Sequence, residues 1–234
     1  MDEERIAISA DRILYVRATA GLYQQKIKKL SYTIIKRGFD IVFGTAGCLL
    51  LLPLSAGVKA AYLLSGDTAP IFYKHKRIGK DGKIFDLYKF RSMVPNADAM
   101  LAELLANDET LNKEYELNRK LENDPRITKV GKIIRRTSID ECPQFFNILK
   151  GDMSLIGNRP YLIDEKSDMG WNYKTIISTK PGLTGYWQVS GRNDLSFQSR
   201  VLLERHYSEH QSFENDLRIF FKTFGAVIGR KGAK

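Results

Sequence analysis

Two adjacent acids, Asp140 and Glu141, sit inside residues 135–160, RRTSIDECPQFFNILKGDMSLIGNRP, with Arg135 and Arg136 ahead of them and Arg159 behind a glycine-bearing turn. A carboxylate can act as a nucleophile, and guanidinium groups present planar forks of donors that match phosphate oxygens. The stretch is therefore a candidate anion-handling site with its own nucleophile. Ser138 followed by Glu141 has the spacing of a capping box, which predicts a helix from near Ile139 with both acids in its first turn. Pro143 is tolerated there, and Gly151 is placed to end the helix after Lys150. The unpaired N–H groups and positive dipole end of such a helix favour carboxylates and can equally hold a phosphate. Neighbours on a helix point about 100° apart, so the two acids need not share a task. Capping alone would explain an S-x-D-E quartet, but arginines on both sides suit a diphosphate better than a simple cap.

An apolar segment must place this site. Residues 41–58, IVFGTAGCLLLLPLSAGV, carry no charge over 18 positions. As a helix they would cover about 27 Å, close to the hydrocarbon thickness of a bilayer. Pro53 in the middle removes a backbone hydrogen bond and predicts a kink. Lys36 and Arg37 precede the run and Lys59 follows it, so charge gives no inside-outside asymmetry. That pattern suits a helix that enters one leaflet, bends at Pro53 and returns to the same face. The competing expectations are a single span and a buried core helix. A secretory signal is disfavoured, because the run begins only at residue 41 and lacks a small-residue cleavage site. Ahead of it, Ile13, Leu14, Leu22, Ile27 and Leu30 recur at helical spacing beside Lys26, Lys28 and Lys29, as in a helix lying on a membrane surface.

The chain has 234 residues, enough for one domain plus a membrane element. Its 37 Lys and Arg exceed 27 Asp and Glu, and the excess is clustered. Seven basic residues lie between Lys74 and Arg91 against Asp81 and Asp86, and five lie between Arg126 and Arg136 with no acid. Charge alone would suit nucleic acid, anionic lipid or phosphorylated substrates, and the apolar run turns the choice toward lipid and phosphate. Cys48 and Cys142 have no pairing spacing and read as reduced thiols of a cytosol-facing protein. His206 and His210 are four apart, but no third ligand supports a zinc site, and no P-loop or dinucleotide glycine fingerprint is present.

Elsewhere, Lys80-Asp81-Gly82-Lys83 between β-type runs predicts a hairpin that delivers Lys89 and Arg91 at the end of its second strand. Residues 96–122 predict a helix capped by Asn96 and broken near Asn107, and Asp124-Pro125-Arg126 a turn. Residues 180–193, KPGLTGYWQVSGRN, combine turn residues with aromatics, an amide and an arginine, as a binding loop would. From Leu195 onward two helices are expected. The second, over 213–231, groups Phe220, Phe221, Phe224, Val227 and Ile228 beside Arg218, Lys222, Arg230 and Lys231, which fits an interfacial helix or core packing.

As a set, KRGFD before the apolar run, FYKHKRIGKDGKIFDLYKFRSM, DPRITKVGKIIRRTSIDECPQFFNILKGDMSLIGNRP and KPGLTGYWQVSGRND resemble the bacterial sugar transferases, the monotopic polyprenyl-phosphate phosphoglycosyl transferases. The resemblance runs from about Lys36 to the C-terminus and is nearest to those that place galactose 1-phosphate on undecaprenyl phosphate to begin exopolysaccharide or O-antigen chains. It implies two-step transfer from a UDP-sugar with release of UMP. Asp140 would be the nucleophile and Glu141 its partner, both near Mg²⁺. Lys89, Arg135 and Arg159 match basic positions around the phosphates, with Arg91 and Arg126 as weaker matches. Trp187, Gln188 and Arg192 are the candidates for sugar or nucleotide contact.

The implied architecture is α+β, mostly helical with a small β-hairpin. It divides into an amphipathic leader (1–35), a kinked re-entrant membrane helix (36–64) and a cytosolic catalytic domain with amphipathic interfacial helices (65–234). The implied setting is the cytosolic face of the bacterial inner membrane. The implied partners are the UDP-sugar, undecaprenyl phosphate, membrane lipids, downstream glycosyltransferases and a second copy in a homodimer, with no nucleic acid. Two positions depart from the family pattern. Asn158 replaces the proline before Arg159, and Leu52-Pro53 replaces Ser-Pro at the helix break. The alternatives of another class are a non-catalytic scaffold that binds polyprenyl phosphate, which the retained acid pair disfavours, and a basic nucleic-acid-binding protein, which the apolar run disfavours.

Overall fold

The computed structural model describes residues 2–118, 121–191 and 195–228. Helix α1 (Asp2–Leu64) is one uninterrupted helix of 63 residues, so the expected leader and membrane segment are continuous across residues 35 and 36. Pro53 lies inside it without breaking it. The proline leaves the Leu49 carbonyl without its usual donor. Ser55, two residues on, returns its hydroxyl to Leu51 O at 2.6 Å, a contact that tends to bend helices. The apolar window of α1 is only 17% buried. Leu49, Leu50 and Leu52 face outward at 66%, 70% and 73% exposure, which removes the buried-core alternative.

One face of α1 carries the domain along most of the apolar stretch. Before it, Tyr32 and Lys36 reach Asp216, and Asp40 accepts from Ser154 Oγ (2.9 Å) and Leu155 N (2.8 Å). Within it, Gly44 and Gly47 let the helix be approached closely: a Cβ on Gly47 would stand 2.2 Å from the Phe145 ring. At its end and just beyond, Val58 and Tyr62 pack with Ile71, Phe90, Val130 and Ile134 in one of three apolar clusters among the described residues. Both flanks of the apolar run therefore contact the same domain.

The domain opens with the expected hairpin, strands β1 (Phe72–Ile78) and β2 (Ile84–Phe90), antiparallel with Tyr73 opposite Lys89 and Arg77 opposite Phe85. Asp81 and Gly82 take left-handed conformations in its turn, as an Asp-Gly pair readily does. Helices α2 (Ala97–Asn107) and α3 (Glu109–Asn118) follow, and the break expected near Asn107 falls at Asp108, whose carboxylate accepts from Thr110 N and Leu111 N. Asn96 makes no side-chain cap, contrary to expectation. Next come α4 (Lys129–Arg136), α5 (Gln144–Lys150), β3 (Ser154–Ile156), α6 (Tyr173–Ile177), β4 (Gly182–Thr184), α7 (Phe197–Glu209) and α8 (Phe213–Ile228). Strands β3 and β4 form a short parallel pair that sequence reasoning did not foresee. The second cluster joins Phe85 and Leu87 to Ile148, Met153 and Tyr207, and the third lies around Ile78, Tyr161 and Val201. Arg230 and Lys231, expected on the last helix, lie outside the described residues.

Candidate active site

The acid pair is presented by a reversal of the chain between two docked helices. Thr128 Oγ1 caps α4 by accepting from Gly131 N at 2.8 Å. Gly131 is required there, since a Cβ would meet Ser92 O at 1.9 Å. At the other end Thr137 returns its hydroxyl to Ile133 O and Ile134 O. The chain then turns through Ser138 in a left-handed conformation (φ 57°) and forms a 3₁₀ turn over Ile139–Glu141. The expected capping box is therefore absent. Ser138 makes no side-chain cap, the acids ride the 3₁₀ turn, and α5 begins three residues later with Pro143 at its N-cap. The cause lies outside the local pattern: docking of α4 on Ser92 fixes where the chain must reverse. Gly151 ends α5 in a left-handed conformation, as expected.

Two polar anchors hold α5 where the acids need it. Asn147, fully buried, accepts from Tyr88 N (3.0 Å) and donates to Asp86 O (2.7 Å), so its amide behaves like a neighbouring strand on the edge of β2. Arg37 donates to Ile148 O (2.7 Å) and Leu149 O (2.8 Å), closing the C-terminal end of α5 onto α1. With β2 and α5 fastened together, Lys89 Nζ donates to Glu141 Oε1 at 3.0 Å. Sequence reasoning missed Asn147 and Arg37. An amide in the middle of a short helix and the KRGFD block were the available signals.

The two acids differ in their surroundings. Glu141 is held by Lys89, whereas Asp140 is half-buried and its carboxyl meets only its own backbone N–H, with no other side chain bonded to it among the described residues. Burial pushes the Asp140 carboxyl above the usual carboxylate range and Glu141 adds to the rise, while Lys89 and Arg135 pull against it. Asp140 is thus a carboxylate without a side-chain partner, set between the Lys89 and Arg135 charges. Arg135, exposed on the last turn of α4, completes the group that the structure brings together: Lys89, Arg135, Asp140 and Glu141.

The other candidates lie elsewhere. Arg91 is buried and occupied: it donates to Pro70 O, Met93 O and Asp67 Oδ2 and stacks on Tyr62. Arg126 is buried against Asp124, donating through Nε at 2.8 Å and Nη2 at 2.7 Å. Both act here as struts of the fold. Arg159 makes no ion pair with either acid; it pairs with Glu165 at 3.1 Å and lies against the Tyr161 ring. Trp187 and Gln188 share a 3₁₀ turn, with the Arg200 guanidinium 5.0 Å from the Trp187 ring. Arg192 lies outside the described residues.

Asn158 secures its loop. Its Nδ2 is within hydrogen-bond distance of Ile176 O (3.1 Å), Thr179 Oγ1 (3.1 Å) and Ser208 Oγ (2.6 Å), and its backbone carbonyl accepts from Gly182 N. Glu204, also fully buried, accepts from Arg159 N at 2.6 Å.

Among the described residues no group of three or more His, Cys, Asp or Glu forms a closed metal cage. Two adjacent, partly exposed carboxylates are nevertheless the donor set Mg²⁺ uses when it keeps waters and takes its remaining ligands from substrate phosphates.

The structure thus sets an acid pair among cations, on a domain seated along an outward-facing apolar helix. Residues 31–230 match the bacterial sugar transferase family, and the chain belongs to it. It is 46% identical over 210 residues to the undecaprenyl-phosphate galactose phosphotransferase of Salmonella typhimurium, covering 90% of this chain and 44% of that protein. It is 40% identical over 200 residues to the exopolysaccharide production protein ExoY of Sinorhizobium fredii, covering 86% of this chain and 88% of that one. To the UDP-glucose:undecaprenyl-phosphate glucose-1-phosphate transferase of Escherichia coli it is 34% identical over 198 residues, covering 81% of this chain and 39% of the other. The chain thus spans under half of the Salmonella and Escherichia relatives and most of ExoY.

Proposed function

We propose that the protein transfers a hexose 1-phosphate, galactose 1-phosphate favoured, from a UDP-sugar to undecaprenyl phosphate, as the first step of exopolysaccharide or O-antigen synthesis. The observation that carries the proposal is the unequal acid pair: Asp140 with no side-chain partner among the described residues, beside Glu141 held by Lys89, on a domain docked against an apolar helix. An Asp140 oxygen attacks the sugar-bearing phosphorus, and the bond from that phosphorus to the bridging oxygen breaks. UMP leaves with the bridging oxygen, and an acyl phosphate joins Asp140 to the sugar phosphate. An oxygen of the lipid phosphate then attacks the same phosphorus, the bond to Asp140 breaks, and the carboxylate is restored with the sugar on a lipid diphosphate.

Lys89 and Arg135 offset charge on the phosphoryl oxygens, the main requirement of phosphoryl transfer. Lys89 also fixes Glu141 through the 3.0 Å contact to its Oε1. Glu141 and Asp140 would hold Mg²⁺, which would neutralise diphosphate charge when bound. The galactose preference rests on the name of the Salmonella relative, and that of the Escherichia relative favours UDP-glucose as the second reading.

We read α1 as re-entrant at the cytosolic face of the inner membrane. The support is that Lys36, Arg37 and Asp40 before the apolar run, Val58 at its end and Tyr62 after it contact one domain. A straight span would carry those flanks to opposite sides. The test is to incubate the membrane-embedded protein with undecaprenyl phosphate, Mg²⁺ and a panel of UDP-sugars and to measure UMP. Release is expected with UDP-galactose first and UDP-glucose second. Oligonucleotide binding with a steep salt slope and no UMP would refute the proposal.

A further inference from the structure

His75 stands on β1 among residues that share one face of the hairpin: Tyr73 and Arg77 beside it, and Phe85, Leu87 and Lys89 across the ladder. Phe85 and Leu87 turn that face into the core. Toward the open end of the hairpin it comes to the surface, with Tyr73 42% exposed and His75 and Lys89 half-buried. The rings of Tyr73 and His75 meet edge to face, 5.8 Å between centroids.

The proton on this imidazole is assigned by its neighbour. Arg77 Nη2 lies 3.2 Å from His75 Nδ1, and Nη1 of the same guanidinium is anchored on Pro160 O at 3.1 Å. A guanidinium only donates, so Nδ1 accepts and the ring is the neutral tautomer with its proton on Nε2. Burial, with Arg77 and Lys89 close by, holds His75 below its usual range, in agreement. Nε2–H is therefore a donor of fixed orientation, and it has no hydrogen-bond partner among the described residues. The charges near it balance, Arg77 and Lys89 against Asp98 and Asp164. A neutral donor beside an aromatic ring, in balanced charge, offers little to an anion. It suits a neutral, hydroxyl-bearing ring that accepts a hydrogen bond at its edge and rests its C–H face on the aromatic.

Position decides which part of a substrate meets this pair. Lys89 holds Glu141 at 3.0 Å, and Tyr73 is directly opposite Lys89 in the register. His75 is two residues further along β1, about 7 Å by strand rise. In a nucleotide-linked sugar the hexose ring is bonded directly to the phosphate that Asp140 would attack. The base is separated from that phosphorus by a second phosphate and a ribose, which puts it beyond this short step.

We propose that His75 and Tyr73 read the hexose ring of the donor, with His75 Nε2–H donating to a sugar hydroxyl and the Tyr73 ring lying against the sugar's C–H face. His75 is then a specificity-determining residue, and Arg77 a positioning residue that fixes its tautomer. The inference rests on the proposed transfer for the presence of a UDP-sugar, and the hexose contact it assigns is separate from the phosphate contacts of Lys89 and Arg135.

The experiment uses the full chain in detergent, carrying Asp140→Asn so that bound donor is not consumed. It measures the affinity of UDP-galactose, UDP-glucose and UDP, which lacks only the hexose, with His75 intact and in His75→Leu, His75→Gln and Tyr73→Ala. His75→Leu is expected to weaken the preferred UDP-hexose about tenfold and UDP by less than about twofold. His75→Gln keeps an acceptor for Arg77 and a donor for the sugar, and is expected to recover most of the loss. Tyr73→Ala should weaken the same UDP-hexose and spare UDP, and decides the matter if His75→Leu fails to fold. Equal losses for UDP and UDP-hexose, or unchanged affinity for all three in folded variants, would show that His75 is only a strut beside Arg77 and overturn the inference. A His75-dependent preference for UDP-hexose over UDP, in a protein with Asp140 intact that releases no UMP from any UDP-sugar, would instead sink the proposed transfer and leave the sugar contact standing.

Discussion

Replacing Asn147 with leucine tests how the fold delivers the acid pair. The leucine is similar in size and favours helix, so local propensity and packing volume change little. What disappears is the amide that serves two backbone groups of β2, Tyr88 N–H at 3.0 Å and Asp86 C=O at 2.7 Å. Asn147 is 0% exposed, so water does not replace either partner. Each orphaned buried group costs about 1–3 kcal/mol, for a total of about 2–6 kcal/mol. In a chain of this size that lowers the melting temperature by roughly 4–24 °C. The loss also frees α5 from the hairpin, so the 3.0 Å contact between Lys89 and Glu141 loosens and turnover falls further than stability alone explains. The assay is thermal denaturation of the purified protein in detergent, paired with UMP release well below the transition. Asn147→Asp sharpens the test, because it keeps an acceptor for Tyr88 N–H but turns a carboxylate oxygen toward Asp86 O, and is expected to lose at least as much. A leucine variant as stable and active as wild type would refute the claim that this amide couples α5 to β2.

Three further outcomes are expected. The proposed mechanism needs Asp140 ionised, so activity is expected to rise with pH through its upward-shifted pKa; Lys89→Met removes the strongest opposing charge and should move that acid limb to higher pH, and an unmoved limb in the kcat profile would show that another group controls it. Burial raises the Glu204 carboxyl from 4.5 to about 7. The stability tied to its neutral form is therefore whole below about pH 4.5 and lost as pH climbs through about 7, a change of about 3 kcal/mol. Glu204→Gln, which retains an acceptor for Arg159 N, should gain melting temperature relative to wild type between about pH 5 and about pH 8, and parallel profiles would contradict this. Finally, with Cys48 and Cys142 replaced by serine, single cysteines at Tyr23 and Ser167 should be labelled from the same side of intact vesicles; labels on opposite sides would exclude the re-entrant path.

The features legible in the sequence were those written in neighbouring residues. Asp81-Gly82 specified the hairpin turn, Gly151 the end of α5, and Asp108 lies one residue past the expected helix break. The 18-residue apolar run identified the outward-facing apolar part of α1, because length and composition alone carry that signal. What failed depended on distant partners. Ser138 has the spacing of a cap, but the docking of Gly131 on Ser92, tens of residues away, places the chain reversal there and gives Ser138 a left-handed backbone instead. Arg91 reads as a phosphate ligand until Tyr62 and Asp67 are brought against it. Arg126 is a different case, since Asp124 stood only two residues away and the ion pair was available to be read. Asn147, Arg77 and Glu204 are ordinary polar residues in their own helices and strand, and acquire meaning only when β2, the 158–161 loop and α7 come together.

The central claim is that Asp140 becomes covalently joined to the sugar phosphate. The most direct measurement is the intact mass of the full-length protein mixed with Mg²⁺ and the preferred UDP-sugar without lipid acceptor, followed by peptide mapping. The account predicts an added mass of one hexose phosphate on Asp140, its loss when undecaprenyl phosphate is supplied, and no adduct in Asp140→Asn. UMP release and product formation at wild-type rates by Asp140→Asn, or an adduct mapped to Glu141, would contradict it.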